Sequence, residues 1–162
     1  MSKRTPQEAP SAGLRAIAGG IWRLGGWAPA AVFALHVILH EVFDAYARIP
    51  HLDVPMHVAG GAAIALVAWR SFGWVVTGVF PPMIRLAFVV GLTSFAAVVW
   101  ELAEFLSDRY LGTRVQTGLE DTLLDMTMGL VGGFGYVALR RLIDGADFEN
   151  TADRKTALRD ST

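Results

Sequence analysis

Long apolar runs alternate with short polar breaks along this chain. The first run covers Ala28 to Tyr46, with Pro29 in its opening turn, where a helix has no use for the missing N–H. The second starts near Asp53 and reaches about Trp69, with Arg70 placed to snorkel toward the headgroups. The stretch from Trp74 to Phe80 either lies in the interface or extends that run, and Pro81-Pro82 ends it. The third run spans Met83 to about Leu106. The fourth spans Asp121 to Leu139 and stops at Arg140-Arg141. Each approaches the ~20 residues a helix needs to cross a bilayer. The pattern predicts an all-α polytopic membrane bundle of about four transmembrane helices.

Ahead of the first run, Leu14, Ile17, Ile21 and Leu24 recur at spacings of three and four, with Trp22 and Trp27 at headgroup level. This predicts an N-terminal interfacial helix or, given Gly19, Gly20, Gly25 and Gly26, a frayed extension. Residues 1–12 are polar and proline-containing and are expected to be disordered, with no secretory signal among them. The integral membrane domain is expected over 13–143 and a polar cytoplasmic tail over 144–162.

Composition sharpens this picture. The chain of 162 residues is 53% hydrophobic and 18% charged, with a mean hydropathy of +0.42. That is too apolar for an ordinary soluble domain. A net charge of −1 argues against a nucleic-acid partner, and the lack of cysteine rules out disulfides and thiolate metal sites. With four spans, Lys3, Arg4, Arg15, Arg23, Arg70, Arg85, Arg140, Arg141, Arg154, Lys155 and Arg159 fall on one side, and only Arg48, Arg109 and Arg114 on the other. The positive-inside rule then predicts cytoplasmic termini in a bacterial inner membrane.

The same topology gathers the acids and histidines of the spans at the outer side: His36, His40, Asp53, His57, Glu101, Glu104, Asp121 and Asp125. Glu101 and Glu104 share one helix face at a spacing of three, as do Asp121 and Asp125 at a spacing of four. Several ionised carboxylates at one depth repel one another unless a cation sits among them. Asp53, His57, Glu101 and Asp125 are therefore the candidate metal ligands, and His40 could join them; Mg²⁺, Mn²⁺, Ca²⁺ and Zn²⁺ all suit oxygen ligands with an imidazole. The competing reading is a structural network, with the acids paired to Arg109, Arg114 or Gln116 and Asp121 capping its helix. His36, deeper in its span, reads as a packed histidine. The glycines of the second and fourth runs read as helix-packing positions.

The run W-E-x2-E with Asp108 after it, followed by Q-x-G-x2-D-T-x2-D-M, resembles the YjdF-type bacterial inner-membrane proteins. Asp53, His57 and Gly61 fit the upstream motif of that family, and the match covers roughly residues 50–135. More loosely the chain is similar to the VanZ-like proteins linked to glycopeptide resistance, with Glu104 where that pattern has glutamine and Asp125 where it has asparagine. The resemblance implies a small polytopic membrane protein and brings no established reaction.

Three functions fit the residues. The first is a metal-dependent hydrolase or transferase on a lipid-linked phosphate, with Glu104 or Asp121 as general base and Arg109 and Arg114 holding the phosphate. The second is an ion- or proton-coupled transporter, although the inner halves of the spans offer few polar groups for a path. The third is a non-catalytic subunit of a membrane complex. A bundle this small also favours a homo-oligomer or a partner within the bilayer.

Overall fold

The computed structural model describes the backbone of residues 10–75 and 80–160, and the side chains of 15–73 and 80–144. The described residues form helices: α1 (Pro10–Ile21), α2 (Trp27–Val37), α3 (Ala45–Arg48), α4 (Asp53–Val75), α5 (Pro82–Leu111) and α6 (Leu119–Asp160). A π-helical turn over Trp22–Gly26 joins α1 to α2, and another over Ile38–Val42 follows α2. Gly25, at φ 102°, breaks the helical path between α1 and α2. A side chain there would also overlap Leu66 on α4, so a glycine meets both the turn and the close approach.

Three stretches are long and apolar enough to cross a membrane: Arg15–Val42, Pro82–Leu111 and Leu119–Asp144. Helix α4, expected to be a span as well, has the length for it with 23 residues. It is the centre of the bundle, packed against α2, α5 and α6. The polar groups that lower its apolarity, Asp53 and His57, face other helices rather than lipid. The outward surface is apolar instead: Phe95, Leu102, Phe105, Val131 and Phe134 are all at least half exposed. A soluble protein would not leave so many large apolar side chains in water. The protein is an all-α membrane bundle.

Association of helices in lipid rests on close packing more than on removal of apolar surface from water. The crossing of α4 and α6 shows this. A methyl group on Gly61 would overlap the carbonyl oxygen of Gly129, and one on Gly132 would overlap that of Val58. These glycines let two backbones touch one to two turns below His57 and Asp125, which fixes those side chains relative to one another. Toward the opposite end, Ala65 and Ala68 of α4 are fully buried against Val89 and Val137, with Trp69, Leu86, Leu92 and Tyr136 around them.

Helix ends follow local rules. Pro82 opens α5, and Gly112 closes it in the left-handed region at φ 74°. The expected tail from Asp144 is helical: α6 continues without a break to Asp160, 42 residues in all. At 1.5 Å per residue this is roughly twice the thickness of a hydrocarbon core, so its C-terminal part extends beyond the bilayer. Helix α1 begins at Pro10. Residues 1–9, 76–79 and 161–162 lie outside the described part, and with them most of the N-terminal segment expected to be disordered and most of the stretch from Trp74 to Phe80.

Candidate functional site

The glycine crossing brings the first turns of α4 and α6 side by side. Asp53 and His57, four residues apart, share the face of α4 turned to α6, and Asp125 answers them from α6. Nε2 of His57 stands 3.2 Å from Oδ1 of Asp53 and 3.7 Å from Oδ1 of Asp125. One atom from each of these residues lies within 4.8 Å of the other two. Asp125 is only 2% exposed and Glu101 6%. Among the described residues, Oδ1 of Asp125 and Oε1 of Glu101 are buried without a hydrogen-bond partner, as are Nε of Arg85 and Oγ1 of Thr93. Leaving a buried acceptor unpaired typically costs about 1–3 kcal/mol, and more when it is charged.

Glu101 sits beside this group on α5, within electrostatic reach of His57 and Asp53, but not inside the tight three-residue cluster. A loop holds it. The Asp108 carboxylate accepts hydrogen bonds from the backbone N–H of Val115 at 2.8 Å and Gln116 at 3.0 Å, and from the Thr113 hydroxyl at 2.5 Å. That anchors residues 112–118 over the site. The Gln116 side-chain amide then donates to the Glu101 carbonyl at 3.1 Å and to its Oε2 at 3.3 Å. Gln116 thus fixes one carboxylate oxygen and leaves the other free.

The remaining sequence candidates lie around this centre. Glu104 accepts a 2.7 Å hydrogen bond from the Trp100 indole. Asp121, in the first turn of α6, accepts from the N–H of Thr117 in the preceding loop at 3.3 Å. Among the described residues no ion pair joins Arg109 or Arg114 to an acid; both are exposed, and Arg109 lies near the ring of Tyr110. His40 is away from the cluster, exposed and 3.1 Å from Glu41. His36 takes the inward place instead. Its Nδ1 is 2.6 Å from the Tyr46 hydroxyl, and its ring meets Trp100 edge to face at 5.3 Å.

A cleft of about 280 Å³ opens from the cluster between α2, α4 and α5, with Gly129 of α6 at its floor. His36, Asp53, His57 and Trp100 form one end, and Val32, Phe33, Ile64, Ala96 and Ala97 line the walls.

Residues 23–144 match a family model described as "Predicted membrane protein (DUF2238)". The chain belongs to this family. The stretch that defines a DUF2238 protein contains the whole cluster, the Asp108–Gln116 anchor and the cleft. The chain is also similar to an uncharacterised protein of Thermotoga maritima, 31% identical over 104 residues, which is 60% of this chain and 52% of the relative. It therefore spans about half the length of the curated relative it matches. No solved structure matches it.

Sequence reasoning named Gln116 as a possible partner of the acids and His36 as a packed histidine, but not Glu101, Tyr46 and Trp100 as the groups they meet. The Gln116 signal was present in the Q-x-G-x2-D string. For His36, the neighbouring Tyr46 and Trp100 gave no periodic signal that they would converge.

Proposed function

We propose that this DUF2238 protein binds a divalent cation through Asp53, His57 and Asp125 and uses it to hydrolyse or transfer a lipid-linked phosphate at the outer side of a bacterial inner membrane. The observation that carries the reading is that one ligand atom from each of the three residues lies within 4.8 Å of the other two, with a buried, unpartnered carboxylate oxygen on Asp125. Metal–ligand bonds of 2.0–2.2 Å at a tetrahedral angle put ligand atoms about 3.4 Å apart. The spacings of 3.2 and 3.7 Å at His57 bracket that value.

Charge supports the same reading. Ionised Asp53, Asp125 and Glu101 carry three negative charges, and a protonated His57 offsets one of them. The nearby arginines offset none through direct pairing. A divalent cation with neutral His57 balances two of the three. A purely structural imidazolium bridge could donate its Nε2 proton well to one carboxylate but not to both.

Three protein ligands leave positions open for water and a phosphoryl oxygen, the arrangement of catalytic rather than structural sites. In hydrolysis the water oxygen bonds to phosphorus and the bond from phosphorus to the lipid oxygen breaks. Glu101, held at Oε2 by Gln116 with Oε1 free, takes the proton from water and returns it to the departing lipid oxygen. Arg109 and Arg114, exposed beside the loop, supply positive charge for the phosphate on its approach. Both termini are cytoplasmic in this reading, in line with the basic residues of the inner side.

The test is elemental analysis of detergent-purified protein, with release of phosphate from a long-chain alkyl phosphate assayed in parallel. About one divalent ion per chain, lost in Asp125→Asn together with phosphate release, is the expected result. A metal-free wild type that cannot be reloaded would overturn the proposal. Cysteines placed at Thr113 and Asp144 should react with an impermeant reagent from opposite faces, and reaction of both from outside would overturn the orientation.

A further inference from the structure

The cleft has a direction. Helix α2 contributes Pro29 to His36, α4 contributes Asp53 to Ile64, and α5 contributes Thr93 to Trp100. On α2 and α4 the polar residues stand at the cluster end and the lining turns apolar away from it; on α5 Trp100 stands at the cluster end, with Ala96 and Ala97 below it and the buried Thr93 as the one polar lining residue at depth. Seven residues of helix span roughly 10 Å, so the cleft runs parallel to the helices from the cluster into the depth of the bilayer.

It also has a side entrance. Helix α2 packs against α4, and α4 against α5, whereas among the described residues the backbones of α2 and α5 make little contact with one another. They meet through side chains at the polar end, where Trp100 contacts Phe33 at 5.9 Å and His36 at 5.3 Å. Both helices belong to stretches long and apolar enough to cross a membrane, so the side of the cleft between them below that contact is turned toward the bilayer in this reading. Small residues, Gly60, Gly61, Ala96 and Ala97, make up much of the lining. A side chain on Gly61 would strike the backbone of α6, so that glycine serves the helix crossing. One on Gly60 would meet nothing within 4 Å. The absence of a side chain at Gly60 keeps space open that packing does not require.

We infer that the cleft receives one hydrocarbon chain of a phosphate-bearing lipid, which enters sideways from the bilayer between α2 and α5 and places its phosphate at the Asp53–His57–Asp125 end. The placement of the phosphate rests on the metal-centre reading above; the seat for the chain rests on the shape and lining of the cleft. A soluble phosphate would use the polar end alone and leave the apolar walls without a role. A lipid without phosphate would fill the walls and leave the carboxylates unengaged.

The experiment uses the full chain in lipid nanodiscs and a long-chain alkyl phosphate carrying a diazirine midway along its chain. Photocrosslinks should map to Val32, Ile64 and Ala97. They should fall at least tenfold in Gly60→Leu, whose melting temperature and metal content should match wild type. Ala97→Leu serves as a second plug should Gly60→Leu fold poorly. Inorganic phosphate should compete at least a hundredfold less well than the unlabelled alkyl phosphate. Crosslinks confined to the outward residues Phe95 and Val99, or unchanged by both plugs, would overturn the inference even in protein that holds its metal. Cleft labelling that is equally strong with the matching alkyl alcohol and after chelation would support the seat for the chain and overturn the phosphate centre.

Discussion

The two ends of the bundle handle polar side chains in opposite ways. At the basic end, charged groups are met by local partners. Arg85 donates to the Trp69 carbonyl at 2.8 Å and lies 3.7 Å over the Trp69 ring, and Arg140 pairs with Asp144 at 2.9 Å one helical turn away. Between them the core is alanine and valine in close contact. At the acidic end, Asp53, His57, Glu101 and Asp125 come from three helices and outnumber their partners, with Oδ1 of Asp125 and Oε1 of Glu101 left over. Carboxylates within a span cost about 2.5–3.5 kcal/mol each at mid-membrane on the insertion scale, less toward the interface. One end leaves over a single guanidinium nitrogen, Nε of Arg85, on a side chain otherwise held by Trp69, and the other leaves over two carboxylate oxygens facing one cluster.

Substitutions separate the two. The largest effect should come from Gly61→Leu, which serves both ends at once. The side chain would overlap the backbone of α6, and no rotamer relieves that. Overpacking of this kind typically costs about 1–3 kcal/mol or more, and here it also pulls Asp125 away from His57. Loss of the monodisperse peak in size exclusion, or loss of bound metal from whatever folds, is the expected outcome. A normal melting temperature with normal metal content would mean that the crossing does not position the site.

Gln116→Leu should come next. It removes the donor to Glu101, and hydrogen bonds to charged groups are worth about 1.5–3 kcal/mol. Thermal melts should show a loss within that range, and phosphate release should fall while metal content is kept. Arg85→Met, at the other end, should cost about 1 kcal/mol through the lost hydrogen bond and ring contact. Its response to chelator should equal that of wild type; a changed response would join the two ends and weaken the contrast. Arg114→Ala should be the mildest, within ~0.5 kcal/mol because the side chain is exposed. It should raise the KM for an alkyl phosphate while sparing stability.

The helices were legible in the sequence because apolar runs of bilayer length, punctuated by Pro81-Pro82, Gly112 and paired arginines, leave few alternatives. The Asp53–His57 pair was legible for the same kind of reason, since a spacing of four on a helix places both on one face. Partners across helices were less so. Periodicity says which face a residue occupies, not which neighbour it meets, and the choice of Asp125 over Glu101 as the third member of the cluster depends on the glycine contact between α4 and α6. The two histidines of the first span show a further limit. The π-helical turn at Ile38–Val42 and the left-handed Asp44, φ 49°, change the path of the chain just past His36. An ideal-helix register no longer holds past that point, and it is His36 that lines the cleft while His40 lies exposed. The straight run of α6 past Asp144 was hidden for another reason: a loss of apolar residues marks the end of a span, not the end of a helix.

The central claim is that the leftover carboxylate oxygens belong to a cation site. The most direct measurement is the melting temperature of detergent-purified wild type and Asp125→Asn, each with and without a chelator. Asparagine nearly keeps the volume of aspartate and can still hydrogen-bond, so packing should change little. A cation at a hundred times its Kd stabilises the native state by about 2.7 kcal/mol, which chelation would remove. The account predicts that wild type melts several degrees lower with chelator and that Asp125→Asn melts at one temperature in both conditions. A wild type that ignores the chelator, with elemental analysis confirming that no metal is retained, would contradict it.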